Sequence, residues 1–352
     1  MGDLAIILPE LQSKVGNDEA WHDQWSRLAN ILVSRAAGAL TATSKGDFLL
    51  LATLYQIMAE HFVPPNDPRR LEAYATVLDT FEQAQRLQAN PTRRLEIPFE
   101  GGVLPSYYLP ALGSTGPRPT AIFVCGLDTT KELWFLRARQ NFALRGLNSL
   151  FIDTPGIGEA LRIHRMPTRY DYEKPIGAAI DYLLTRDDVD PSRIGVVGSS
   201  LGGYYVARAA AYEPRIAATV AWGAIWDYHA TWLKRLSGNG VSGAPPFQLM
   251  YVTGTDSVTA AVSAIKDFKV APFADRIRGP FLIMHGADDK QVSIDDATML
   301  YQSILSPEKE LKVFDGLNGG AAHTQFDNHL PALHFAADWL ATRLAGHAGA
   351  AS

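Results

Sequence analysis

The chain is almost without cysteine: Cys125 is the only one among 352 residues. One thiol cannot close an intrachain disulfide or build a thiolate metal cluster. Such usage fits a reducing compartment, and a cytoplasmic location is the expectation. No apolar run has the length of a bilayer-spanning helix, so no membrane partner is expected. Residues 1–11 are partly apolar, but they carry Asp3 and Glu10 and lack a basic leading region and a cleavage site. They are not read as a signal peptide. Basic runs are missing too. A net charge of −5 without any Lys/Arg cluster removes nucleic acid from the expected partners. Nothing in the sequence calls for a metal or an organic cofactor. What is present, 47% hydrophobic and 20% charged residues, suits a globular enzyme large enough for one big domain plus an accessory region.

The first ninety residues read as helical. Trp21, Trp25, Leu28, Leu32 and Ala36 recur at helical spacing over residues 18–38. Phe48, Leu51, Leu54, Tyr55 and Met58 do so over 45–63, where Pro64-Pro65 ends the helix. A third helix begins at Asp67-Pro68 and runs to residue 88. Aromatic stripes of this kind usually form core. The other reading is that Trp21, Trp25, Tyr55, His61 or Phe62 face a substrate pocket.

Asn90-Pro91 marks a boundary. Beyond it come short strands: 93–99 and 106–109 as a hairpin around Glu100-Gly101-Gly102, then 120–125, 149–153, 193–197 and 216–222. Helices over 131–145 and 170–185 alternate with them. This alternation predicts a mostly parallel sheet with helices on both faces, entered by an antiparallel pair. After Trp222-Gly223 the pattern breaks. Residues 224–271 have helical character, with Trp226, Trp232, Leu233 and Leu236, and a flexible stretch at 238–246. An insertion at the C-terminal edge of such a sheet reads as a cap. A strand at 280–285, a helix at 295–303, a strand at 310–314 and a helix at 328–344 complete the chain, and 345–352 is expected to fray. The expected organisation is an N-terminal helical region at 1–90 acting as lid or dimerisation element, a core at 91–223, a cap at 224–271 and the rest of the core at 272–345.

Between the strand 193–197 and a helix lies Gly198-Ser199-Ser200-Leu201-Gly202-Gly203. Strand, G-x-S-x-G and helix together are the nucleophile elbow of α/β-hydrolases. The spacing follows from the chemistry. Ser200 must stand on a sharp turn clear of the sheet, and glycines at 198 and 202 let strand and helix approach. A Gly/Ser-rich strand-to-helix turn alone could belong to any doubly wound protein, so the partners matter.

A serine hydroxyl needs a base, and a histidine base needs an orienting acid. In this fold they follow the serine in the order acid, then histidine. After the strand at 280–285 the chain reads His285-Gly-Ala-Asp288-Asp289-Lys-Gln-Val292. Asp289 falls on the form H-G-x-x-D-x-x-V and is the expected acid. Asp288 is read as a turn residue and His285 as structural. After the last strand, His323 follows a Gly/Ala loop and is the expected base, with His329 in the next helix as competitor. The oxyanion hole needs two backbone N–H groups, assigned to Leu201 and to Leu127 in Gly126-Leu127-Asp128. Cys125 is read as core. Asp128-Thr-Thr-Lys-Glu132 is read as helix-start chemistry and Asp153-Thr-Pro-Gly-Ile-Gly158 as a turn lining the site rim.

These pieces resemble one branch of the α/β-hydrolases, which includes 2,6-dihydroxypseudooxynicotine hydrolase, fungal polyketide-shortening pigment hydrolases and FrsA-like proteins. The resemblance rests on Gly126-Leu-Asp-Thr-Thr-Lys-Glu132, Asp153-Thr-Pro-Gly-Ile-Gly-Glu159, Gly198 to Gly203, Ala221-Trp-Gly223 and Gly319-Gly-Ala-Ala-His-Thr-Gln-Phe-Asp-Asn328, and the helical N-terminal region is similar as well. It implies an α/β-hydrolase fold with an N-terminal helical region and a cap insertion. It also implies cleavage of a carbon–carbon bond beside a ketone in a β-dicarbonyl, aryl-ketone or polyketide-like small molecule, and pairing as a homodimer. The same triad would serve a carboxylesterase, lactonase or amidase. In the resemblance an extra acid follows the Trp-Gly strand, and Asp227 is the nearest one here. Trp222, Trp226, Tyr228 and His229 are expected to line the pocket.

Overall fold

A computed structural model describes residues 3–113, 116–238 and 244–345. The chain divides into two compact units, Met1–Thr92 and Arg93–Ser352.

The first unit is helical: α1 (Leu8–Ser13), α2 (Asp18–Ala37), α3 (Ala42–Glu60) and α4 (Arg69–Gln85). Polar side chains set the starts. Asn17 accepts the Ala20 N–H at 2.9 Å, and Thr41 accepts the Ser44 N–H at 3.1 Å. The apolar stripes of α2 and α3 meet through Trp25, Leu28 and Leu32 against Ala52, Tyr55 and Ala59. The Trp25 and Tyr55 rings lie 5.4 Å apart, and the Trp21 indole N–H donates to the Met58 carbonyl at 2.6 Å. Trp25 and Tyr55 are core within this unit, and Trp21 packs partly buried against them. The turn at Pro64-Pro65 is pinned by buried Arg70, which pairs with Glu60 at 2.9 Å and donates to the Val63 carbonyl at 2.7 Å.

The second unit is built on an eight-stranded sheet of order β1-β2-β4-β3-β5-β6-β7-β8. Its strands are β1 (Arg93–Phe99), β2 (Gly102–Leu109), β3 (Arg118–Val124), β4 (Asn148–Ile152), β5 (Val189–Ser199), β6 (Ile216–Trp222), β7 (Phe281–Gly286) and β8 (Lys309–Phe314). β1 pairs antiparallel with β2, and β2 antiparallel with β4; the remaining pairs are parallel. The central strands are continuous apolar runs because helices cover both faces. The helices that pack on the sheet include α5 (Lys131–Ala138), α6 (Gly158–Arg162), α7 (Glu173–Leu183) and α8 (Leu201–Tyr212), while α9 (Tyr228–Leu236), α10 (Pro246–Thr253) and α11 (Val258–Ala264) form the insertion between β6 and β7. α12 (Ile294–Ser303) and α13 (Leu330–Leu344) close the unit.

This is the α/β-hydrolase fold that the motifs imply. Several boundaries differ from the sequence reading; β2, for one, begins at Gly102 rather than at 106. The helix expected over 131–145 stops at Ala138, because Arg139 takes φ 42° and a 3-10 turn at Ala143–Arg145 follows. β5 begins at Val189, four residues before the expected strand, where Val189 pairs with Arg118. Part of the flexible stretch at 238–246 and residues 346–352 lie outside the described residues. Among the described residues no helix is long and apolar enough to cross a membrane.

Candidate active site

β5 delivers its last residue, Ser199, directly to the start of α8, so Ser200 alone makes the corner. Its backbone takes φ 57° and ψ −121°, a region a residue with a Cβ rarely visits, at a cost of about 1–3 kcal/mol. The corner is held from both sides. The Ser200 N–H donates to the Trp222 carbonyl at 2.8 Å, and the Ser200 carbonyl accepts the Gly203 N–H at 2.8 Å. A Cβ on Gly202 would stand 2.6 Å from the Val124 carbonyl, which is why the first turn of α8 can lie against the end of β3.

Asp289 and His323 come from the loops after β7 and β8. Those loops are tied: the Asp288 N–H donates to the Ala321 carbonyl at 3.0 Å, and Asp327 accepts the Ala321 and Ala322 N–H groups at 2.8 and 3.1 Å. His323 Nδ1 then lies 2.6 Å from Asp289 Oδ2, and its Nε2 lies 2.8 Å from Ser200 Oγ. A carboxylate can only accept, so it places the imidazole proton on Nδ1 and leaves Nε2 free to accept from the serine. The other carboxylate oxygen accepts the N–H groups of Gln291 and Val292 at 2.8 and 3.0 Å. Burial pushes the Asp289 carboxyl up, but the hydrogen bond and charge of His323 and the Val292 amide outweigh it, and its pKa is lowered. Asp288 is exposed. His285 is buried, with Nε2 3.0 Å from the Val292 carbonyl, and burial lowers its pKa. His329 stands at the start of α13.

The loop that carries Leu127 adjoins the start of α8 at Gly126. A Cβ added to Gly126 would stand 3.2 Å from the Leu201 nitrogen and 2.9 Å from the Ser200 Cβ. Among the described residues neither the Leu127 nor the Leu201 N–H donates a hydrogen bond. The loop behind them is locked by buried charge. Asp128, at φ 51°, pairs with buried Arg162 at 3.0 Å. The capping expected across residues 128–132 is done by Thr130, which accepts the Leu133 N–H at 3.4 Å. Lys131 Nζ contacts Glu132, Asp153 and Glu159 at 2.9, 2.9 and 3.0 Å. Burial pushes Asp153 up to about 6 against the pull of Lys131. Residues 153–158, read as a rim turn, thus close around a buried carboxylate that also accepts the Lys131 and Glu159 N–H groups, each at 2.8 Å.

The remaining expected contacts fall at the end of β6 and the start of α9. Asp227 is the N-cap of α9, accepting the Ala230 N–H at 2.8 Å, and pairs with Lys269 at 3.3 Å. Tyr228 is buried against Phe268 and Trp232. Trp226 and His229 are half-buried. The Trp222 ring is fully buried, its N–H donates to Gln325, and the Arg137 guanidinium sits 4.7 Å from its centroid. Sequence reasoning passed over Arg137; a cation three residues after Trp134 on one helix was the only local signal.

Residues 11–235 match the family described as esterase FrsA-like. The chain belongs to the FrsA-like esterase family. Residues 161–345 of this FrsA-like hydrolase also match the prolyl oligopeptidase family. One relative is 2,6-dihydropseudooxynicotine hydrolase of Paenarthrobacter nicotinovorans, 30% identical over 280 residues, which are 77% of this chain and 71% of that protein. Another is 20-hydroxy-prefusarin hydrolase FUS2 of Gibberella moniliformis, 25% identical, covering 93% and 88% of the two chains. The crystal structure of 2,6-dihydroxy-pseudo-oxynicotine hydrolase superposes with a TM-score of 0.80 at 27% identity, over 92% of this chain and 88% of that one. AbyA5, at 21% identity and a TM-score of 0.74 over 96% and 93% of the two chains, shares the fold. The FrsA-like hydrolase is an enzyme of the α/β-hydrolase class.

Proposed function

We propose that this protein is a serine hydrolase with Ser200 as nucleophile, His323 as base and Asp289 as orienting acid. It cleaves a carbon–carbon bond beside a ketone in a β-dicarbonyl, aryl-ketone or polyketide-like small molecule. The observation that carries the triad is His323 within hydrogen-bond reach of both Asp289 Oδ2, at 2.6 Å, and Ser200 Oγ, at 2.8 Å. Ser200 Oγ attacks the carbonyl carbon while His323 Nε2 takes its proton. The Leu127 and Leu201 N–H groups donate to the oxygen as negative charge develops on it. When the tetrahedral adduct collapses, the carbon–carbon electron pair leaves as an enolate carbon, which takes the proton back from His323. Water, deprotonated by the same histidine, then hydrolyses the acyl-serine. Trp226, Asp227, Tyr228 and His229, at the base of the insertion, would contact the substrate. The substrate class is supported by relatives named as hydrolases of 2,6-dihydropseudooxynicotine and of 20-hydroxy-prefusarin.

An esterase with the same triad is the second reading, favoured by the esterase description of the matching family. Product analysis by mass spectrometry separates the two. Wild type and Ser200→Ala are given an aryl 1,3-diketone, a naphthopyrone-type polyketide, an aryl ester and a lactone. Serine-dependent cleavage of the diketone or polyketide with slow ester turnover is expected. Fast ester or lactone hydrolysis with intact diketones selects the esterase. Turnover in Ser200→Ala above a tenth of wild type overturns the triad, whose loss costs at least ~10³-fold.

A further inference from the structure

The turn that follows His323 is strained twice. Thr324 and Gln325 take φ 49° and 55°, left-handed values that residues with a Cβ avoid. Two such residues in a row persist only where their surroundings hold them. Both side chains are buried, so water does not do it. Two contacts do. Arg137, on α5, donates through Nη2 to the Thr324 carbonyl at 2.7 Å. Trp222, at the end of β6, donates its indole N–H to Gln325 Oε1.

Arg137 is an unusual residue to find here. Among the described residues it makes no ion pair; its charge meets the faces of Trp222, Trp134 and Phe326 at 4.7, 5.2 and 5.1 Å. Burial pulls its pKa down to about 10, which still leaves a cation at neutral pH. A packing role alone would be met by an apolar side chain, without desolvating a guanidinium. The two tryptophans that hold Arg137 reach the rest of the site. Trp134 donates its indole N–H to the Val124 carbonyl at 3.0 Å, where β3 gives way to the Gly126-Leu127 loop. The Trp222 carbonyl takes the Ser200 N–H at 2.8 Å. One cation between two indoles therefore joins the histidine turn, the serine corner and the oxyanion strand.

We propose that Arg137 is a positioning residue that clamps the left-handed turn at Thr324 and thereby keeps the His323 ring between Asp289 and Ser200. This rests on the triad reading, and the first step of its test separates the two. A fluorophosphonate probe should label wild type at Ser200 and leave Ser200→Ala unlabelled; an unlabelled wild type refutes the triad itself. Arg137→Lys and Arg137→Met are then compared by kcat and KM on an aryl ester, with rates expressed per titrated serine so that unfolded protein does not count. Misplacement of a catalytic group by about 1 Å costs on the order of 10²-fold. Accordingly kcat should fall about 10–100-fold in Arg137→Met and about 2–10-fold in Arg137→Lys, which keeps N–H donors but loses the planar stack, with KM unchanged in both. Glycine adopts left-handed φ freely, so the Arg137→Met loss should shrink at least about threefold in a Thr324→Gly background. Wild-type kcat in both variants, a change confined to KM, or an undiminished loss beside Thr324→Gly overturns the proposal. If Arg137→Met yields no titratable serine, wild-type kcat in Arg137→Lys overturns it alone.

Discussion

Replacing Asp289 by asparagine changes one atom of the proposed triad, and the geometry dictates which way the new amide must face. Oδ1 accepts two backbone N–H groups, from Gln291 and Val292, while Oδ2 accepts from His323. An amide that kept its oxygen for His323 would turn its NH₂ onto both backbone donors. Each buried donor left unmatched costs about 1–3 kcal/mol, so that orientation is disfavoured by about 2–6 kcal/mol. The amide therefore keeps its oxygen on the backbone and presents NH₂ to His323 Nδ1. The imidazole must answer as an acceptor and carry its proton on Nε2, where it can no longer accept from Ser200. A wrong tautomer of this kind costs about 10⁴ in turnover, or about 5.4 kcal/mol of barrier. The fold loses one charge-assisted bond but keeps both backbone bonds, so stability should drop by only about 1.5–3 kcal/mol. Aryl-ester hydrolysis and fluorophosphonate labelling rate measure the first effect, and thermal melting the second. The exposed Asp288, changed to asparagine, is the control and should keep wild-type turnover. Asp289→Asn with more than a tenth of wild-type activity, or a larger loss at Asp288, would refute the assignment.

Two further outcomes follow from other parts of the second unit. A Cβ on Gly126 would stand 2.7 Å from the Ser199 carbonyl and 3.2 Å from the Leu201 nitrogen, so Gly126→Ala must displace the loop that carries the Leu127 amide. We expect kcat to fall about 10²–10³-fold, the cost of losing one oxyanion donor, and a variant keeping a third of wild-type kcat would argue against Leu127. Asp296, on α12, has its pKa pushed from 3.8 up to about 7 by burial first, with the Trp226 amide opposing and the charges of Asp227 and Asp295 adding. A raised carboxyl pKa means the folded state keeps a proton that the unfolded chain gives up. Its contribution to stability is complete below pH 3.8 and is lost as pH rises through about 7. Asn stays neutral and can still accept from Trp226, so Asp296→Asn should match wild type in melting temperature at pH 4 and exceed it at pH 8. Equal melting temperatures at both pH values would show that this carboxyl is not strained.

The sequence spelled out what is local. G-x-S-x-G is legible because the constraints that shape it, a tight corner and two close approaches, act within five residues. Asp289 and His323 are legible because each follows a strand that can be counted. The N-terminal stripes of Trp25 and Tyr55 show their periodicity, and the structure packs them against each other. What stays hidden is long-range. The Arg137 contact to Thr324 spans 187 residues, and nothing near either residue announces it. Asp128 looks like a cap because aspartate before a helix usually is one; that it reaches Arg162 depends on where α6 lies. The aromatic character of Trp222 was plain, but not that its ring would be closed between Arg137 and Gln325. Helix ends fail for a related reason: Phe142 continues the apolar period past Ala138, yet the backbone has already turned at Arg139.

Cys125 has a use that its chemistry does not suggest at first sight. It follows β3 immediately, is 2% exposed, and its Sγ donates to the Thr130 carbonyl at 3.0 Å across the loop that contains Leu127. Burial raises the thiol pKa well above the ordinary value, so the closed molecule presents no thiolate to a reagent. Being solitary, it gives any thiol-specific dye a single address in the chain. The speed of dye uptake is then a stopwatch on how often that stretch of backbone parts from its neighbours. Ligands that seat against the loop would slow the watch, and the wild-type chain carries it without any introduced label.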